Sequence, residues 1–208
     1  MITTLDRLLI AADNALRTIS GAAASGRLAP GSPDTNLSDE RDRRHVAGLM
    51  RVNHSGEICA QALYAGQSLV ARSPAVRVAL DRAGAEERDH LAWCGQRLRE
   101  LDSRPSLLDP LWYAGSFALG VVSGVAGDRW SMGFLVETEH QVERHIDGHL
   151  SRLPDSDVRS RAILEQMRED EIRHGASGKA LGAAELPIPV KRAMKTVSKV
   201  MTRIAYRV

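Results

Sequence analysis

Glu87-Arg-Asp-His90 and Glu171-Ile-Arg-His174 are two copies of Glu-x-x-His that stand 84 residues apart. A further glutamate precedes each copy: Glu57 lies 30 residues before Glu87, and Glu139 lies 32 before Glu171. On a helix, positions i and i+3 share one face about a turn apart, so a carboxylate and an imidazole can reach one point. Burying four carboxylates without partners would cost many kcal/mol, so a chain that places them inside needs a cation among them. A glutamate from each of two helices and Glu-x-x-His from each of two others is the ligand list of a two-metal carboxylate bundle, with iron or manganese as the metal. The residue types suit that chemistry. Two divalent ions carry four positive charges, which four carboxylates neutralise. One neutral imidazole per metal leaves positions open, whereas an all-thiolate set selects zinc or iron–sulfur.

A lone Glu-x-x-His is more often a solvated helix face, and a third copy, Glu137-Thr-Glu-His140, occurs here. Helical context separates the candidates. Glu139 continues a stripe of Leu135, Val136, Val142 and Ile146, and Glu87 and His90 share one with Leu80, Ala83, Leu91 and Cys94. Glu171 and His174 follow Leu164 and Met167, and Glu57 sits between Met50 and Tyr64. Glu143 rivals Glu139, and spacing alone does not decide between them. Its position near the stripe's edge, beside Asp147, reads as surface.

The 208 residues suit one domain with an appendage. A helix is expected from Ser38, as cap, to about Arg72, and a second from Ser73-Pro74 to about Leu101. A third pattern opens at Asp109-Pro110, first apolar and then amphipathic after Asp128, and runs to about Leu153. Pro154-Asp155 opens a fourth, to about Leu181, and Pro187 and Pro189 precede a last helix. Long helices on short connections predict an all-α antiparallel bundle. Residues 1–20 read as a short amphipathic helix of Leu5, Leu8, Leu9, Leu16 and Ile19, interrupted by Asp6 and Asp13 and unlike a signal peptide. Residues 21–37 read as a loop rich in Gly, Ala, Ser and Pro.

The net charge of +2, from 28 basic and 26 acidic residues, hides an asymmetry. No acidic residue follows Glu185, while Lys191, Arg192, Lys195, Lys199, Arg203 and Arg207 give the tail +6 and leave the body at −4. An acidic body repels phosphates, which argues against nucleic acid. The tail places apolar residues at helical period with the basic ones opposite. Such a helix suits either a membrane surface or the side of the bundle, and both readings remain open. Residues 110–127 carry no charge, but 18 residues span about 27 Å as a helix, short of the ~30 Å hydrocarbon core. Gly120 and Gly124 form a small-xxx-small pair, which suits close packing on the bundle or contact with the membrane surface. The two cysteines, Cys59 and Cys94, are too few for a disulfide framework and read as small packing residues in a reducing compartment.

Arg51-Val-Asn-His-Ser-Gly-Glu57, followed by Tyr64-Ala-Gly-Gln67, closely resembles the first-helix motif of the Coq7 family of di-iron demethoxyubiquinone hydroxylases. Glu87-Arg-Asp-His90-Leu, the Glu137-Thr-Glu139 region and Glu169-Asp-Glu-Ile-Arg-His174-Gly follow in the family's order, so the resemblance covers roughly residues 38–208. It implies a ferritin-like antiparallel bundle with Glu57, Glu87, His90, Glu139, Glu171 and His174 as metal ligands and Glu87 and Glu171 as the bridges. It also prefers Glu139 to Glu143. The activity it implies is O2-dependent monooxygenation of the ring of a polyprenylated demethoxy-benzoquinol in ubiquinone biosynthesis. The cofactors it implies are two iron ions, Fe2+ in the reduced state. Electrons come from an external reductant, NADH or the reduced quinol itself, because the chain has no dinucleotide fingerprint. Other ubiquinone-biosynthesis proteins are candidate partners, and a peripheral place on the cytoplasmic side of the cell membrane would meet the substrate. A ferritin-like iron store with the same ligands is the alternative, and a metal-free membrane-surface scaffold a third.

His145, six residues after Glu139, lies close to a face from which it could hydrogen-bond a ligand, and Tyr64 could line the substrate pocket or be plain core. The expected division is an N-terminal helix and loop over 1–37, a di-iron helical bundle over 38–186, and a basic amphipathic helix over 187–208.

Overall fold

The computed structural model describes residues 4–21, 25–32, 37 and 39–208. Among these it has seven helices and no strand: α1 (Thr4–Ser20), α2 (Glu40–Val70), α3 (Pro74–Glu100), α4 (Asp109–Val125), α5 (Asp128–Leu150), α6 (Val158–Ala180) and α7 (Ile188–Ala205). Three residues join α2 to α3 and a short turn joins α5 to α6, so each pair is an antiparallel hairpin. The long connection carrying α4 links the hairpins, the single-crossover topology of ferritin-like bundles. α4 packs along α2, α1 rests on α2 and α4, and α7 on α2 and α5.

Local chemistry sets the boundaries. Ser73 accepts from the Val76 amide with Pro74 in the first turn, as expected. Ser38 lies outside the described residues, and the cap of α2 is Asp39, which accepts from the Arg41 amide at 2.7 Å. The fourth bundle helix begins at Val158, not at Asp155, because residues 154–157 form a turn. The Asp157 carboxylate then caps the Ser160 amide and pairs with buried Arg97 at 3.0 Å. The pattern expected as one helix over 109–153 is two. Gly127 adopts φ +114, a conformation open to glycine, and its carbonyl accepts from Trp130 and Ser131 to start α5. Asp128 holds this break against the α2–α3 turn through the Arg72 and Ser73 amides.

The core has two apolar ends. One joins Val46, Leu49, Met50, Trp93, Leu98, Ile146, Ile163, Leu164 and Met167. The other joins Leu63, Tyr64, Leu80, Ala83, Met132, Leu135 and Val136. α2, α3 and α5 contribute to both clusters, and α6 runs from the first toward Leu181, just past its end, which packs on the second. The candidate ligands fall between the clusters, so the polar layer has hydrocarbon at both ends.

The α2–α4 contact depends on the absence of Cβ atoms. A Cβ on Gly120 would run into the Leu63 carbonyl, and one on Gly66 into the Phe117 carbonyl. Backbone cannot yield as a side-chain tip can. Gly120→Ala is expected to destabilise the fold by about 1–3 kcal/mol through overpacking, more than the helix-propensity gain of about 0.5–1 kcal/mol returns. Exposed Gly115, on the same helix with nothing in the path of a Cβ, is the control, and Gly115→Ala should stabilise. Urea midpoints shifting in the same direction for both variants would refute this account of the contact.

Candidate metal centre

The four long helices bring all six predicted residues into one buried layer. Glu57 comes from α2, Glu87 and His90 from α3, Glu139 from α5, and Glu171 and His174 from α6. None is more than 7% exposed. His90 Nδ1 lies 2.9 Å from Glu87, 3.5 Å from Glu171 and 3.6 Å from Glu57. His174 Nδ1 lies 3.2 Å from Glu87, 3.3 Å from Glu171 and 3.5 Å from Glu139. Two groups result, each with ligand atoms within 4.8 Å of one another: Glu57, Glu87, His90 and Glu171, and Glu87, Glu139, Glu171 and His174. Glu87 and Glu171 belong to both.

The outward nitrogens are held by carboxylates. His90 Nε2 is 2.9 Å from Asp170, and His174 Nε2 is 3.2 Å from Glu86. A carboxylate can only accept, so each Nε2 donates and each Nδ1 is turned inward, the usual setting of a metal-bound imidazole. Asp170 and Glu86 are crossed partners: each immediately precedes the glutamate of its own motif and serves the histidine of the other. Sequence reasoning missed both, although an acidic residue at the same offset in the two halves was a visible signal.

The electrostatics of the layer call for cations. Burial, then the charge of Glu87, raises the Glu57 carboxyl well above its usual range, and burial with Glu171 does the same to Glu139. Glu87 goes the other way: burial opposes ionisation, but His90 and His174 outweigh it. Both histidines are raised against the pull of burial by the surrounding carboxylates. Among the described residues Glu57 Oε2, Glu87 Oε1 and Glu139 Oε2 are buried without a hydrogen-bond donor; His174 Nδ1 lies 3.2 Å from Glu87 Oε1 but off the hydrogen-bonding direction. Four carboxylates and two imidazoles around donorless oxygens fit a pair of hard or borderline divalent cations.

Tyr64 reaches the layer and donates to Glu139 Oε1. Burial and the charges of Glu139, Glu87 and Glu171 raise its pKa well above the phenol range, so it keeps its proton. Tyr64 also lines a cavity of about 280 Å3 between α1, α2, α3 and α4, beside Thr18, Gln61 and Tyr113. Thr18 donates to Gln61 Oε1 at 2.9 Å across that cavity's wall. His145 is placed elsewhere. It packs edge-on against His149, ring centroids 3.8 Å apart, its Nε2 is buried and unpartnered, and among the described residues it makes no hydrogen bond to the six. The turn of α5 that carries it has already left the layer. Glu143 is half-buried and in neither group, and His140 of the third Glu-x-x-His faces Lys179 at the surface. Cys94 is buried beside Met167, and burial pushes the Cys59 thiol up to about 11, so neither offers a thiolate.

Residues 44–205 match the family described as Ubiquinone biosynthesis protein COQ7. The 3-demethoxyubiquinol 3-hydroxylases of Cupriavidus pinatubonensis and Cupriavidus taiwanensis are 59% and 60% identical to this chain, each over 98% of it and 100% of the relative. That of Chromobacterium violaceum is 55% identical over the same shares.

Proposed function

The chain belongs to the COQ7 family of ubiquinone biosynthesis proteins, and from that premise we propose that its two carboxylate–histidine groups hold two iron ions for ring hydroxylation of a polyprenylated demethoxy-benzoquinol by O2. It is a hydroxylating enzyme of ubiquinone biosynthesis, a 3-demethoxyubiquinol 3-hydroxylase by its full-length likeness to the relatives so named. That likeness favours the enzyme over an iron store with the same ligands. The observation that carries the metal reading is the sharing of Glu87 and Glu171 between two buried groups, each completed by its own histidine and glutamate. When bound, the irons, Fe2+ at rest in the reduced state, supply the electrons and the site for O2 activation. Those electrons would come from an external reductant, NADH or the quinol itself.

The chain's own residues have separate tasks in this reading. Glu57, Glu87, His90, Glu139, Glu171 and His174 would hold the metals, with Glu87 and Glu171 serving both groups. Tyr64 keeps its proton and steadies Glu139 at the inner end of the cavity. Thr18, Gln61 and Tyr113 shape the entry for the quinol ring, and the apolar ends of the core keep bulk water from the layer. The substrate's isoprenoid tail suits the exposed apolar residues of α1 and α4, among them Leu5, Leu9, Leu16, Leu111, Leu119 and Val122. Among the described residues no helix is long and apolar enough to cross a membrane. α7 exposes Val197 and Val200 with its lysines and arginines, a surface suited to anionic lipid on the cytoplasmic side of the cell membrane.

The test is to reconstitute the protein anaerobically with Fe2+, reduce it, and add O2 with a demethoxyubiquinol carried in vesicles. The expected product contains one oxygen atom from isotopically labelled O2, and it forms faster from anionic than from neutral vesicles. A fully reduced two-iron protein that consumes O2 without hydroxylating the quinol would return the chain to the iron-store reading. Equal rates from both vesicle types would remove the lipid-surface role of α7.

A further inference from the structure

The loop between α1 and α2 lies outside every metal-binding motif, yet its residues 25–27 reach the back of one ligand histidine, while the Ala29, Pro30 and Gly31 carbonyls anchor it on Arg159. Arg27 joins two helices with one guanidinium. Its Nε pairs with Asp89 of α3 at 2.6 Å, and its Nη1 with Asp170 of α6 at 2.9 Å. The Asp170 oxygen that it grips is the one that accepts from His90 Nε2. The rest of the loop fixes the guanidinium. The Gly26 amide and Ser25 hydroxyl donate to the other oxygen of Asp89 at 2.7 and 3.0 Å. The guanidinium lies 4.7 Å over the ring of Trp93, whose Nε1 donates to the Arg27 carbonyl. Trp93 in turn packs against the His90 ring, centroids 5.4 Å apart.

His174 has no such backing. Its partner Glu86 holds it at a longer 3.2 Å, is 20% exposed, and is shared with Arg173 and with Arg82, which is 80% exposed. Asp170 is 0% exposed, and its two oxygens are held separately by Arg27 and Arg173. A buried, immobile carboxylate fixes the orientation and tautomer of its histidine and raises the basicity of the inward nitrogen, whereas a solvated, shared one does so less.

We propose that Arg27 is a positioning residue: the 25–32 loop straps Asp170 onto His90 and makes the metal position on the His90 side the tighter of the two. The inference rests on the two-metal reading above. A planar fork is needed because one side chain must meet two carboxylates on different helices, which a lysine ammonium at the end of a flexible stem does not reproduce.

The test is anaerobic titration of the full metal-free chain with Co2+, followed by its visible absorption, with circular dichroism and thermal melting alongside. Wild type is expected to take up two ions in two steps. Arg27→Gln should weaken the tighter step by about 10–100-fold and leave the other in place. Glu86→Gln should weaken the looser step instead. Arg27→Lys keeps the charge without the fork and should weaken the tighter step too, a reading independent of whether R27Q folds. Wild type taking up fewer than two ions overturns the two-metal reading and this inference with it. Two normal steps in wild type, with R27Q and R27K curves superimposed on them, overturn the inference alone. So does a variant that melts earlier yet binds Co2+ as wild type does, for that is a strap with a structural role only.

Discussion

Replacing Glu87 with alanine is expected to abolish uptake of both metal ions, whereas replacing Glu57 with alanine should remove one. Glu87 belongs to both buried groups and Glu57 to one. Loss of an outer partner already costs about 10–100-fold in metal affinity or activity, and loss of a shared ligand costs more. Turnover of E87A should therefore fall by more than about 100-fold, with iron per chain measured by elemental analysis. The metal-free protein should respond with the opposite sign. Among the described residues Glu57 Oε2 is buried without a donor, and burial and Glu87 both disfavour its charge. Glu57→Gln relieves that repulsion, so the metal-free variant should melt above metal-free wild type, and the order should reverse once metal is added. Each kcal/mol corresponds to about 2–4 °C at this chain length. An E87A protein that still held two ions would remove Glu87 from the bridging position. An E57Q protein melting lower in both states would mean that Glu57 is a structural partner and not a ligand.

Acidification should destabilise the fold through a histidine pair that touches no metal ligand. His149 is 1% exposed, and Asn53, whose Nδ2 also donates to the Leu49 carbonyl, donates to its Nδ1. That nitrogen must accept, so the ring is neutral. Burial, then His145, Arg152 and His45, lowers His149 to about 2, and burial with Arg152 lowers His145 to about 4. Both folded values lie below the usual ~6.5 of an unfolded histidine, so the unfolded chain binds more protons as pH falls. Their stabilisation is full above about pH 6.5 and is lost below it, until pH reaches the folded values. By pH 5 the loss is about 2 kcal/mol for each, against a typical total of about 5–15 kcal/mol. Urea unfolding of wild type and an H145Q/H149Q double variant between pH 5 and 7 isolates the pair, because the ligand layer titrates in both. A stability difference between the two proteins that does not change with pH would refute the account.

Much of the fold was legible because it is written in local terms. Pro74 with Ser73, and the apolar stripes at helical period, mark their helices without reference to any neighbour. Where the expectation failed, the cause was tertiary. Gly127 looked like one more glycine in an apolar run. Its role as a break depends on Asp128 finding the Arg72 and Ser73 amides of a distant turn. Asp157 caps α6 three residues after the expected start because its carboxylate also answers buried Arg97. His145 stands six residues from Glu139, but its turn of α5 lies beyond the ligand layer, beside Ile146 of the apolar cluster that the other helices complete, and its ring packs on His149 of the next turn.

By itself the sequence determined which residues could meet a metal pair. The Glu…Glu-x-x-His repeat, with each member on an apolar stripe, is a statement about helical period and about the cost of burying charge, and both are local physics. Only the tertiary structure decided that Glu87 and Glu171 lie in both groups, that Asp170 and Glu86 serve the opposite motif's histidine, and that Arg27 reaches one of these and not the other. Those contacts join helices and a loop far apart in the chain, where no periodicity operates. They exist because two hairpins pack face to face and leave one buried polar layer in which every donor and acceptor must find its partner.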